Sequence, residues 1–364
     1  QDEALIIYVA QSTALDQYVV QHPTYLLGSS PEEARINPEN ILILMEHLKC
    51  ASFELPFSMT ETYGEFEVQE LLAYLVSEGV LVKTSTKWHW MSDRFPAHDV
   101  SLRSAAQENV VIIDISITGS NKVIGEMDTY SAMTLLHEEA IYMHQGTQFQ
   151  VEKLDWEEKK AFVREVDVNY FTDANLAVEL KVLSEDKSAQ FETATVSYGD
   201  VSLLAIPTIF KKIRFNTHDN IGSGPISIPP MEMHTNSTWV SFEQPEQWNE
   251  DELTDALTGV SYALESFIPL FIHCDRSDVS VVPQVKATHN EKPTLFIYDS
   301  YPGGIGLSER IYDLLLPLFE RTISHVAACP CHAGCPSCIG AQEAFHDNKT
   351  KVLEILRMLK SEMM

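Results

Sequence analysis

The sequence predicts an α+β protein of several domains, and three observations carry that expectation. The chain has 364 residues, enough for two or three separate cores. Its apolar spacing is helical at first, changes to a period of two after about residue 100, and turns helical again beyond about 246. Four of its six cysteines crowd into ten residues near one end. A hydrophobic content of 45% with 21% charged residues excludes a disordered chain. No apolar run approaches the roughly 20 residues of a membrane span. The opening Gln1-Asp2-Glu3 is unlike a signal peptide, and a first residue other than Met suggests a fragment. The net charge of −28 excludes a general binder of polyanions, because duplex affinity comes mainly from Lys and Arg neutralising phosphates. Any nucleic-acid role must rest on local sites.

The first elements read as a detached piece. Leu5 to Val9 is a short apolar run that predicts a buried strand. A helix opens at Thr13, with Asp16 three residues on, and turns Leu15, Tyr18 and Val19 inward. One strand and one helix make no core, so they point to a domain lying upstream.

A second unit starts near Ser30. Ser30-Pro31-Glu32-Glu33 orders a cap, a first-turn proline and a capping-box glutamate. Asn37-Pro38 opens another helix, and Val68 to Glu78 is a third, stopped by Gly79. Val80 to Val82 and Trp88 to Trp90, joined by the polar turn Thr84-Ser85-Thr86, form a hairpin. Helices followed by a hairpin describe a winged helix, a frequent nucleic-acid module. Its surroundings are acidic, with 15 acids and 5 bases over residues 1–100. Trp88 and Trp90 share one strand face, so they either pack inward or stack on bases.

Residues 101–245 are β-rich. Val110 to Ile115 and Lys122 to Glu126 form a hairpin across Gly119-Ser120-Asn121. Further strands are expected at 140–144, 147–151, 161–168, 176–183, 191–198, 201–215 and 237–242, which suggests a barrel or sandwich. Lys211, Lys212 and Arg214 are the densest basic cluster before the last third. They form either a solvated strand face or a phosphate-contact strip.

From 246 onward the pattern is mostly helical. Asn249 with Glu252 caps a long amphipathic helix to about 274. A strand at 294–298, the turn Tyr301-Pro-Gly-Gly-Ile-Gly306, a helix to about His325 and a terminal helix from about Asn348 complete the chain.

The strongest chemical signal is Cys329-Pro-Cys331-His-Ala-Gly-Cys335-Pro-Ser-Cys338, a C-x-C-x3-C-x2-C array. Thiolates held this close favour a soft cation that gathers four sulfurs tetrahedrally. The expectation is a closed structural zinc site, with no position left for a catalytic water. An iron–sulfur cluster is the main competitor, although the spacings differ from ferredoxin runs. His332 could also replace one cysteine. Cys50 and Cys274 stand alone in apolar segments as structural thiols. Such cysteine usage fits a reducing, cytoplasmic setting.

Weaker signals stand beside it. The glycines after Asp299 resemble a phosphate-cradling loop, but they lack G-x-G-x-x-G spacing, and a tight turn packing a helix on a sheet fits better. Asp275, Asp278 and Asp299 could suggest a carboxylate nuclease, yet loop solvation explains them. His144 lies at a strand end and is unremarkable alone. There is no nucleophile elbow, no H-E-x-x-H and no G-x-x-x-x-G-K-[ST]. The chain by itself is therefore not expected to hydrolyse ATP.

Several stretches together resemble one family. They are Leu15 to Tyr18 with His22-Pro23, Asn37 to Asn40, Phe53 to Phe57, Tyr142 to Gly146, Lys212-Ile-Arg214, Tyr298 to Gly306, and the cysteine array. In this order they resemble the mitomycin-repair-type (MrfA-like) DEAD/DEAH-box superfamily 2 DNA helicases, over essentially the whole chain. The resemblance implies residues 1–28 as the end of a second RecA-like helicase domain, 29–100 as a winged helix, and 101–364 as a zinc-binding domain. That last domain divides into a β-rich part (101–245) and a helical part with the four-cysteine site (246–364). It further implies a 3′–5′ ATP-dependent DNA helicase acting in DNA repair. ATP and Mg2+ would belong to a motor core absent from this chain. Single-stranded or forked DNA and that core would be its partners, and Cys329, Cys331, Cys335 and Cys338 its zinc ligands. The competing expectation is a stand-alone, zinc-dependent module for protein interaction, which the acidic surface favours. Most of the acidity precedes the array: residues 1–300 carry 19 bases and 46 acids, residues 301–364 carry 6 and 7.

Overall fold

The computed structural model describes residues 5–11, 13–28, 37, 40–64, 66–98, 100, 109–340 and 347–364. The cap expected at Ser30 to Glu33 and the proline at 38 lie outside the described residues. Two compact units emerge, one of residues 1–37, 179–203 and 233–364, the other of 38–178 and 204–232. The β-rich stretch 101–245 is thus divided between them.

The first unit begins with helices α1 (Ala14–Gln21) and α2 (Pro23–Gly28). Thr13 caps α1 by accepting the Asp16 N–H, as its sequence position predicts. Val19 is buried, while Leu15 and Tyr18 are half-buried. The expected strand at Leu5 to Val9 does not form: this segment is irregular, and Leu5 is 87% exposed. An apolar strand needs ladder partners for its backbone groups, and none of the described residues supplies them. Instead the Tyr8 hydroxyl and the Gln11 N–H donate to the Asp16 carboxylate.

The second unit opens with the winged helix. Helix α3 (Ile41–Glu54) starts at Asn40, whose side chain accepts the N–H groups of Leu42 and Ile43. Strand β1 (Phe57–Ser58), the short ladder β2 (Thr62–Tyr63) and β3 (Phe66–Glu67), and helix α4 (Gln69–Ser77) follow. The wing is β4 (Leu81–Lys83) with β5 (Lys87–Trp90), and the sheet order is β1-β5-β4. Leu44, Leu48, Phe57, Val68, Leu72, Leu75, Leu81 and Trp88 form one core. Gly79, at φ +72°, ends α4 where a side chain would be strained.

Next comes a five-stranded sheet of β6 (Asn109–Ile117), β7 (Ser120–Asp128), β8 (Ile141–His144), β9 (Thr147–Asp155) and β10 (Lys160–Glu165) in the order β7-β6-β10-β9-β8. β6 and β10 run parallel; the other pairs are antiparallel. The two edges curl together: a Cβ on Gly125 of β7 would lie 3.7 Å from His144 Cε1 and 3.9 Å from the Tyr142 hydroxyl of β8. Helix α5 (Thr129–Leu135), capped by Asp128, packs Ala132 into the core of this sheet and was not legible as a helix in the sequence. Two long strands then pass from unit to unit, β11 (Tyr170–Val182) and β13 (Ala194–Arg214), with β12 (Lys187–Gln190) between them. The two strands expected at 191–198 and 201–215 are one 21-residue strand. β14 (Asn220–Pro225) pairs with the end of β13.

In the first unit, β15 (Met231–Phe242), β17 (Thr294–Asp299) and β16 (Val279–Gln284) form an antiparallel ladder in that order. Three helices, α6 (Glu250–Ile272), α7 (Leu307–Ala328) and α8 (Asn348–Glu362), pack on one another. Asn249 and Glu252 make the expected capping box on α6. The shared core includes Val240, Phe242, Phe267, Ile297, Leu315, Phe319 and Leu356. Among the described residues, no helix is long and apolar enough to cross a membrane.

Candidate metal centre and nucleic-acid interface

The cysteine array grows out of the end of α7. Cys329 is the C-cap, its N–H bonded to the His325 carbonyl, and Pro330 prevents the helix from continuing. The chain then folds back so that Cys329 and Cys335 Sγ lie 3.6 Å apart, as do Cys331 and Cys338, and Cys335 and Cys338. All four sulfurs fall within 4.8 Å of one another. A disulfide requires about 2.05 Å, so these are free thiols. Tetrahedral zinc with bonds of about 2.3 Å separates its sulfurs by about 3.8 Å, and the donor set fits that ion. Among the described residues this is the only group of three or more His, Cys, Asp or Glu side chains that converges in this way.

Local structure fixes the turn. Gly334 has φ +116°, and a Cβ there would meet Ile339 Cδ1 at 2.2 Å, so only glycine allows the close approach. Lys349 of α8 is 9% exposed, and its ammonium donates to the carbonyls of Cys329 (2.6 Å) and Cys331 (3.0 Å). Its backbone N–H reaches the Ala333 carbonyl at 3.0 Å. The sequence marks Lys349 only as one of four bases on the last helix; the structure shows that its charge is used internally. Burial pushes the Cys335 thiol up, yet N–H groups of Ser337 and Cys338 and the neighbouring thiols outweigh it and bring it to about 7. Burial drives Cys338 the other way. His332 is exposed, and the converging donors are the four cysteines. The stray thiols are quiet: Cys274, half-buried, is pushed by burial up to about 12, and burial raises Cys50 as well.

The glycine turn at the other end of α7 is built around Asp299. This carboxylate is fully buried and accepts the N–H groups of Ile305 (2.7 Å), Leu307 (3.1 Å) and Ser308 (2.7 Å). Reading Asp299 as a solvated loop residue is therefore wrong. It fills the position that a phosphate would take at a helix N-terminus. Asp275 and Asp278 cap a short turn, and Asp278 accepts the Tyr301 hydroxyl at 2.6 Å. The three aspartates thus serve the backbone and form no nuclease centre.

The nucleic-acid candidates divide. Trp88 is 2% exposed in the winged-helix core, with the Lys83 ammonium 4.5 Å over its ring, so it presents no face to a base. Alternation placed it correctly on the face it shares with Trp90, but that face is the core. Trp90 is half-buried edge-on against Phe53, with centroids 5.8 Å apart. Lys212 is committed to Glu139 (2.7 Å). Lys211 is half-buried and Arg214 exposed, and neither makes an ion pair among the described residues. His144 stacks on Tyr142 at the β8 edge of the five-stranded sheet.

This architecture recurs in known proteins. A model of the MrfA Zn-binding domain matches residues 260–339, and one of the winged helix domain of the ATP-dependent helicase HRQ1 matches residues 36–105. The chain is 52% identical over 355 residues to the ATP-dependent helicase YprA of Bacillus subtilis (strain 168), covering 97% of this chain and 47% of YprA. It is 26% identical over 374 residues to the ATP-dependent helicase HRQ1 of Saccharomyces cerevisiae, covering 93% of this chain and 33% of HRQ1. The chain thus spans about half or less of these relatives. A crystal structure of the helicase MrfA superposes with a TM-score of 0.69 at 46% identity, over 95% of this chain and 48% of that one. A crystal structure of MrfA bound to DNA gives 0.55 at 51% identity, over 95% and 46%. The chain carries an MrfA-type Zn-binding domain and a HRQ1-type winged helix domain, and it is homologous to the YprA and MrfA helicases.

Proposed function

We propose that this chain is the accessory region of an ATP-dependent 3′–5′ DNA helicase of the DEAD/DEAH-box superfamily 2 that acts in DNA repair in the cytoplasm. Residues 1–28 end its second RecA-like domain, and that motor core, holding ATP and Mg2+, is the region's partner within the same protein. The winged helix and the zinc-binding domain guide single-stranded or forked DNA and brace the motor. Cys329, Cys331, Cys335 and Cys338 hold a structural Zn2+, which fixes the turn that follows α7 and against which Lys349 of α8 docks. Zinc supplies folding energy here and no Lewis-acid chemistry, because four protein sulfurs close its coordination shell. No residue of this chain is assigned a catalytic role, and the region is inactive in isolation.

The observation that carries this reading is the pairing of a winged helix with a closed four-thiol turn in a chain 51% identical to DNA-bound MrfA. Fluorescence anisotropy on single-stranded and forked oligonucleotides across a salt series tests it. Binding at low salt that weakens with a shallow slope, as befits few phosphate contacts, is the expected result. The acidic charge of −28 favours a second reading, a zinc-dependent protein-interaction module. Absence of DNA binding at low salt would select it.

A further inference from the structure

The tip of the β13–β14 hairpin combines cations and aromatic rings in a way neither its sequence nor the core explains. The two strands pair from Ile209↔Pro225 to Ile213↔Asn220. The chain then reverses, with Arg214 N–H donating to Asp219 O and His218 N–H to Arg214 O, both at 3.0 Å. His218 adopts a left-handed φ of +58° that turns the tip. Phe215 bonds through its N–H to the Asn169 carbonyl at 3.1 Å, which seats it beside the start of β11. There its ring lies 5.8 Å from Phe171 at 35°, and Phe171 meets His218 edge-on at 6.5 Å. Three rings therefore cluster at a hairpin tip where Phe215 is 36% exposed and His218 exposed.

Charge complements the rings. Residues 209–222 contain Lys211, Lys212 and Arg214 against the single acid Asp219 in a chain of net charge −28. Lys212 is held by Glu139, and Asp219 accepts the Thr217 hydroxyl at 2.7 Å. That leaves Lys211 and Arg214 uncommitted among the described residues. Lys211 lies on the strand and Phe215 at its turn, four residues on and about 13 Å away along extended chain. A cationic strip that ends on exposed aromatic faces suits an unpaired polynucleotide: cations follow the phosphates and rings accept the bases.

We propose that Phe215, with Phe171 and His218 beside it, is a base-stacking platform for single-stranded nucleic acid, with Lys211 and Arg214 gripping the flanking phosphates. The inference rests on the DNA-guiding reading above and assigns it a place. It also replaces Trp88 as the stacking residue, because that ring is in the core.

The test uses the full chain with its zinc. Affinities for an oligo-dT strand and for a duplex of equal length are measured by anisotropy for the native protein, F215A, F215W and the double variant K211A/R214A. Thermal melts confirm that each variant is folded. F215A should weaken oligo-dT binding about tenfold and leave duplex binding unchanged. F215W should restore affinity, with its indole emission quenched as bases stack. K211A/R214A should flatten the salt dependence by about 1.4 in log–log slope, or about 0.7 for each phosphate left without its cation. A folded F215A with native affinity, or a bound F215W without quenching, overturns the platform while the DNA-guiding reading stands. Failure of the native chain to bind either oligonucleotide at low salt overturns both.

Discussion

The two ends of helix α7 pose opposite electrostatic problems, and the chain answers both with its own groups but leaves four gathered thiols at the second. At the N-terminus, where backbone N–H groups accumulate partial positive charge, Asp299 supplies a buried carboxylate with three hydrogen bonds. At the C-terminus, Lys349 supplies the matching cation to the carbonyls of Cys329 and Cys331. The first end is then complete. The second still brings four sulfurs within 4.8 Å, an arrangement that like charges oppose once the thiols ionise. Glycine-rich and cysteine-rich turns can look equally functional in a sequence. Only the turn whose polar groups are unsatisfied by the protein calls for a ligand.

Perturbing each end separately breaks or sharpens this contrast. The largest effect is expected from C335S or strong chelation. Zinc measured by atomic emission should fall from about one ion per chain toward none, and residues around the array should become protease-sensitive, because binding energy in such sites is folding energy. Native metal content and melting in C335S would refute the closed site, and iron with inorganic sulfide would replace zinc by a cluster. D299A should follow, costing about 2–5 kcal/mol in denaturant unfolding, because three buried N–H groups lose their acceptor together. K349M keeps the aliphatic stem but removes two charge-assisted hydrogen bonds. It should cost about 1.5–3 kcal/mol and weaken zinc retention against a chelator. G304A should cost about 1–3 kcal/mol, since Gly304 has φ +68° and its Cβ would meet Asn236 Oδ1 at 2.0 Å. Titration of the native protein with ATP in a calorimeter should give no heat at the glycine turn, whose anion position Asp299 already fills.

Much of the site was legible because its signals are local. The C-x-C-x3-C-x2-C spacing confines four thiols to one turn whatever surrounds them. Caps such as Thr13 on α1 and Asn249 with Glu252 on α6 act within one helical turn, so they survived into the fold. The short helix α5 was missed because seven residues offer too little periodicity to stand out between strands. Leu5 to Val9 was misread because apolar, β-prone composition predicts a strand only where a ladder partner exists.

By itself, then, the sequence determined the mixed α/β content, the wing hairpin, the long capped helices and the gathering of four cysteines. All of these follow from spacings of fewer than about a dozen residues. Tertiary structure decided what distant segments do to one another. It placed Trp88 inside the core and the Phe215 ring at a hairpin tip beside Phe171. It committed Lys212 to Glu139 and Lys349 to the cysteine turn, and it buried Asp299 against a helix that begins eight residues later. Burial and charge pairing depend on which segments meet in space, and a one-dimensional pattern does not encode those meetings.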